Sequence, residues 1–284
     1  MLLAAAAATL YALSTSLQAL EARKAPGSTA LRPSLITRLV RRRVWVAGTA
    51  AGALAWPMQA AALAFGSIAL VQPALGLGLV VLLLLGRLLL HESIGAREIS
   101  GGLAIVAGVG LLGWAAPTET GRIVPAAAWV IGVGSVLIGL LPVVLRGLGF
   151  AGGLATSIGA GLGWAWVGLA TTLFDASLAE RTWLAVLGWG VAVAAVSFGA
   201  LISEMTALQT WPATRAIPIV FGIEMLLPAM IAPFMTHADP RHIGAFVLAL
   251  AVATVGAVVL GGTSSVARAA AAGDQVPRST ESGL

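Results

Sequence analysis

Two acidic side chains stand where charge is costly. Glu204 and Glu224 lie in long apolar runs on either side of a short turn, eight and twelve residues from Pro212. A charged group inside a bilayer costs roughly 2.5 to 3.5 kcal/mol on insertion scales, so each needs a reason to be there. At about 1.5 Å of rise per helical residue, the two fall within one to two turns of the same depth. Carboxylates drawn together in low dielectric resist being ionised at once, and such a pair can load and release a proton near neutrality. The plainer reading is neutralisation by Arg215 at the turn or, for Glu204, snorkelling to a nearby membrane surface.

A second set of candidates comes from an internal likeness. Residues 58–73 and 203–218 align at an offset of 145, pairing Gln59 with Glu204, Ala62 with Ala207, Leu63 with Leu208 and Pro73 with Pro218. Gln59 is therefore the uncharged counterpart of Glu204. Gln72 and Pro73 are expected to open one helix and Pro218 another, since proline is tolerated in a first helical turn; deeper in a span it frees a carbonyl that a solute could use. Among the tryptophans, Trp56 and Trp166 fall near helix middles and are expected to line an inner pathway, whereas Trp45, Trp114 and Trp183 read as interfacial belt residues.

The elements that position these groups follow from composition. The 284 residues are 59% hydrophobic and 10% charged, too little polar surface to cover a water-soluble domain. Nine apolar segments are long enough to cross a bilayer, over approximately 2–20, 44–65, 68–90, 99–115, 124–145, 149–174, 183–208, 217–234 and 243–262. None alternates with period two, so the expected class is an all-α polytopic membrane protein. The glycine runs at 101–102, 108–110, 152–153 and 159–163 read as helix-packing seams.

The organisation expected is two four-helix repeats, 1–123 and 146–262, joined by one extra helix at 124–145 that inverts the second repeat, with a disordered tail at 263–284. Leu31, Leu35, Ile36, Leu39 and Val40 recur at helical spacing among Arg32, Arg38, Arg41, Arg42 and Arg43, an amphipathic segment (31–43) expected to lie on the cytoplasmic membrane surface. The first segment carries its positive charges behind it, at Arg23 and Lys24, which reads as a retained helix with its N-terminus outside. With that orientation most cations fall on the cytoplasmic side, leaving Arg122, Arg181 and Arg241 outside, and the C-terminus is cytoplasmic.

The chain contains no cysteine, and its three histidines have no metal-ligand spacing. No nucleophile, base and orienter set and no nucleotide motif is present, so an enzyme, a resident cofactor and a metal site are not expected. The net charge of +5 is carried by loops flanking apolar spans and points to lipid, with no role for nucleic acid.

From Ala62 to Gly113 the order of parts is a small-residue hairpin, a leucine-rich helix, a short charged loop (91–98) and a glycine-rich helix (101–113), repeated more weakly over 204–261. This stretch resembles the drug/metabolite transporter superfamily, the EamA-like proteins. Glu92 matches that family's Gly-Glu-Arg-like loop motif while its neighbours differ, and residues 236–239 of the second copy hold no glutamate. The nine-span layout is similar to the NIPA magnesium-transporter-like branch. What the resemblance implies is a secondary carrier in the plasma membrane, commonly exporting a small solute by alternating access, without a cofactor; a homodimer is a separate expectation. Magnesium transport is the alternative it carries; a non-transporting membrane subunit or lipid-handling scaffold is the alternative of another class.

Overall fold

The computed structural model describes residues 2–65, 68–115, 125–236 and 241–261. Every regular element among them is helical: α1 (Leu2–Ala22), a short 3-10 turn (Gly27–Thr29), α2 (Pro33–Leu39), α3 (Arg43–Phe65), α4 (Ile68–Leu88), α5 (Ala96–Ala115), α6 (Pro125–Gly139), α7 (Leu141–Gly147), α8 (Gly153–Ala179), α9 (Trp183–Thr210), α10 (Ala213–Thr236) and α11 (Ile243–Gly261). Among the described residues six helices are long and apolar enough to cross a membrane: α1, α5, α8, α9, α10 and α11. The number rises to seven if α6 and α7 form one bent span. Large side chains point outward along α6 and α9, with Trp129, Leu137, Leu184 and Val191 all exposed. Such a surface is stable against lipid and not against water, which is the make-up of a multi-pass membrane protein.

Helices touch through small residues. A Cβ added to Gly108 of α5 would come within 2.6 Å of the Ala253 Cβ and 2.8 Å of the Ala249 carbonyl oxygen on α11, so only glycine permits this approach. Gly163 of α8 does the same against Ala200 of α9, and Gly161 against Ile223 and the Val220 carbonyl of α10. Of the expected glycine seams, those of α5 and α8 are therefore at real crossings, although Gly102 itself faces open space.

The contacts also define direction. Arg97 Nε at the start of α5 donates to the Val259 carbonyl near the end of α11 (2.6 Å), Gly101 lies against Gly256 and Leu260, and the Arg241 amide before α11 donates to the Ala115 carbonyl at the end of α5 (3.1 Å). These two helices are antiparallel. In contrast, α5 and α10 run parallel, with Glu98 beside Arg215 and Ile105 beside Gly222. α1 packs on α3 and α4, and α8 packs on α9 and α10.

Four expectations about elements change. The joining helix expected over 124–145 is two pieces, α6 and α7, meeting at 44°. Pro142 lacks the N–H that would continue the ladder, and the bend falls where the Gly139 carbonyl lies against Gly199 of α9. Most of the stripe in 31–43 turns inward: Leu31, Leu35, Ile36 and Leu39 are buried in the main core while Val40 is exposed, α2 packs on α9, and the Leu31 amide donates to Thr206 Oγ1 (2.9 Å). Trp45 leaves the belt for the core, its indole N–H donating to Met205 Sδ at 3.3 Å. Finally, Pro73 and Pro218 do not open their helices. α4 begins at Ile68 and α10 at Ala213, which puts each proline five residues inside. For α10 the reason is local: Trp211 is extended before Pro212, and an acceptor from another loop caps the amides of Ala213 and Thr214, so the helix starts a turn early.

Candidate functional site: an interior acid pair

Glu204 sits near the end of α9 and Glu224 midway along α10, and both are half-buried. They lie within electrostatic reach of each other. Glu204 Oε2 accepts a hydrogen bond from Trp164 Nε1 of α8 at 2.7 Å. That reach depends on the small residues around Trp164, because Gly161 and Gly163 bring α8 against α10 and α9 respectively. Glu224 makes no hydrogen bond or ion pair among the described residues, but its carboxylate acts on the Tyr11 hydroxyl of α1. Tyr11 in turn lines a small cleft of about 60 Å³, with Thr15 of α1, Leu79 and Leu82 of α4, and Ile217 and Phe221 of α10. The acids therefore stand where α8, α9 and α10 pack together, on the side of α10 that faces α1.

Arg215 does not neutralise them. Its Nε and a terminal nitrogen both reach Glu98 Oε1, at 2.8 and 2.7 Å. Glu98 is buried, and its other oxygen accepts from the Gly95 amide (2.8 Å), a carboxylate three residues into a helix reaching back over its start. Glu92, also buried, is still more fully used: Oε1 accepts from the Ala213 amide (2.7 Å), Oε2 from the Thr214 amide (3.0 Å) and its hydroxyl, and Arg23 closes an ion pair. A loop between α4 and α5 thus caps α10 and ties down the end of α1. The capping spacing of Gly95 and Glu98 could have been noticed in the sequence, whereas nothing local announces Glu92 as the cap of a helix that begins 121 residues later.

The other sequence candidates scatter. Trp166 does not join the acids; it docks on α6, its N–H donating to the Ile131 carbonyl at 3.1 Å over Gly134. Two residues along a helix are about 200° apart, so Trp164 and Trp166 cannot both face inward, and Trp164 is the one that does. Trp56 is 68% exposed on α3. Gln59 is half-buried on α3, which packs on α1 and α4, away from Glu204. The side chains of Gln72 and Pro73, the loop residues His237 and Asp239, and the tail 263–284 lie outside the described residues. Tyr11 and Trp164 take the places expected of Trp56 and Trp166, and the signal for either is an aromatic beside small residues in an apolar run.

No group of three or more metal-ligating side chains occurs among the described residues. What the arrangement offers is two carboxylates with an indole and a phenol, a setting that accepts protons and hydrogen-bond donors. Comparison with protein-family models, with characterised proteins and with solved structures finds no match to this chain.

Proposed function

We propose that this protein is an integral membrane secondary transporter of the drug/metabolite type, moving a small organic solute by alternating access coupled to protons. The observation that carries the reading is the Glu204–Glu224 pair, held inside the bundle beside Tyr11 and Trp164 with no cation among its described partners. Such a site suits a solute with amine or other donor groups, which would compete with a proton for the same carboxylates.

Helix placement supports the two-repeat plan behind alternating access. α9 ends at Thr210 and α10 begins at Ala213, and at the offset of 145 the described parts of α3 and α4 reach Phe65 and Ile68 on either side of the corresponding positions. Under that correspondence α5 and α11 are equivalent, and they run in opposite directions, as inverted repeats require. The nine-span count takes α3, α4 and the bent α6–α7 pair as further crossings, with the N-terminus outside.

Glu224→Gln tests the proposal in proteoliposomes under an imposed pH gradient. Solute-dependent proton flux is expected in the parent protein and lost in the variant, with thermal stability unchanged. Equal flux in both removes Glu224 from the mechanism, and magnesium flux in place of solute flux selects the divalent-cation alternative.

A further inference from the structure

The loop between α1 and α3 builds a second polar site, independent of the acid pair. A cavity of about 210 Å³ is lined by Glu21 at the end of α1 and Lys24 just beyond it, by Arg38 and Leu39 of α2, and by Arg41 and Arg42 from the turn joining α2 to α3. Four cations surround one carboxylate. Two of the cations are partly used, Lys24 bonding Glu21 Oε1 at 2.7 Å and Arg42 approaching Oε2 at 3.9 Å. Arg38 and Arg41 make no ion pair among the described residues, so their charge is available to a ligand. Glu21 is 5% exposed, and its Oε2 is buried without a hydrogen-bond partner, a costly state that a donor entering the cavity would relieve. Arg41 and Arg42 also immediately precede the 23-residue α3, whose N-terminal dipole adds to the attraction for an anion.

We propose that this cavity binds the headgroup of an anionic glycerophospholipid: a phosphate diester held by Arg38, Arg41 and Arg42, with a headgroup hydroxyl donating to Glu21 Oε2. The guanidinium fork matches phosphate oxygens, and the carboxylate selects a headgroup that carries a donor. Two features favour lipid over free phosphate. The cavity lies at the level where α1 leaves the bundle and α3 enters it, and Val40 and Val44, four residues apart and next in the chain to its arginines, are both exposed, apolar surface on which an acyl chain can rest. Since Arg23 leaves the same end of α1 for Glu92, the headgroup would also steady the segment that holds the cap of α10.

Native mass spectrometry of the full chain in detergent, with added lipid, reads this directly. Phosphatidylglycerol is expected to stay bound at a several-fold lower concentration than phosphatidylcholine, whose choline has no donor. The double variant Arg38→Gln/Arg41→Gln should lose that binding while keeping the parent melting temperature, because neither side chain has an ion-pair partner among the described residues. Glu21→Gln should narrow the preference for phosphatidylglycerol over phosphatidylcholine. Competition by millimolar inorganic phosphate or glycerol phosphate, with no lipid preference, would move the assignment to a soluble phosphate and overturn the lipid reading. Equal retention of both lipids, unchanged in the double variant, would overturn the site altogether.

Discussion

Two pairs of glutamates occupy this bundle, and they are treated in opposite ways. Glu92 and Glu98 are buried and saturated: backbone amides, a hydroxyl and the guanidinium groups of Arg23 and Arg215 take up their oxygens. Glu204 has a single indole donor, and Glu224 has none among the described residues. Desolvating a carboxylate is tolerable when every lone pair is used, so the first pair can be structure. The second pair is half-buried in an apolar bundle with few partners among the described residues, which leaves its lone pairs open to a proton or a donor. Partner count separates the acids that hold the fold from those available to a proton or a solute, and the more deeply buried pair is the one with the partners.

The contrast is tested first at its strongest point. Glu92→Ala strands the Arg23 guanidinium and uncaps α10, and should cost about 3–5 kcal/mol, read as a lowered melting temperature in detergent by tryptophan fluorescence. A variant as stable as the parent would remove the structural half of the comparison. Gly108→Val, at the α5–α11 crossing, should cost about 1–3 kcal/mol through overpacking, whereas Gly102→Ala, which meets nothing within 4 Å, should stay within about 0.5 kcal/mol of the parent.

Arg215→Gln leaves Glu98 with its Gly95 amide but without a cation. Because the arginine is 26% exposed and water can enter, a loss of about 1–2 kcal/mol is expected from the same melting assay. Trp164→Phe removes one hydrogen bond from Glu204, about 1 kcal/mol, and should alter the proton dependence of transport. Trp166→Phe also loses one hydrogen bond, but at the α6 interface, and should leave that dependence alone. Glu224→Gln should likewise stay within about 0.5 kcal/mol of the parent, although it abolishes coupled flux; a large destabilisation there would erase the distinction between the two pairs.

Helical class and the positions of most long helices were legible in the chain, because hydropathy and length act locally and a bilayer leaves the backbone few alternatives. The same holds for the glycine seams of α5 and α8, where lack of a side chain is a property readable at each position. The likeness of 58–73 to 203–218 also pointed to a turn in the second copy, and that turn stands between α9 and α10.

What escaped was everything set by a partner far away in the chain. The early start of α10 depends on Glu92, which no rule about residues 211–218 can supply. The stripe of α2 finds α9 instead of lipid because apolar area is satisfied equally by either, and only the packed bundle decides which is nearer. Helical period told that Trp164 and Trp166 must face apart, yet which one meets Glu204 depends on where α9 lies around α8. Arg215 could serve any acid within its reach, and the parallel course of α5 beside α10 gave it Glu98. Amino-acid types settled how much of this protein belongs in a bilayer; pairing between distant helices settled which of its acids were left with few partners of their own.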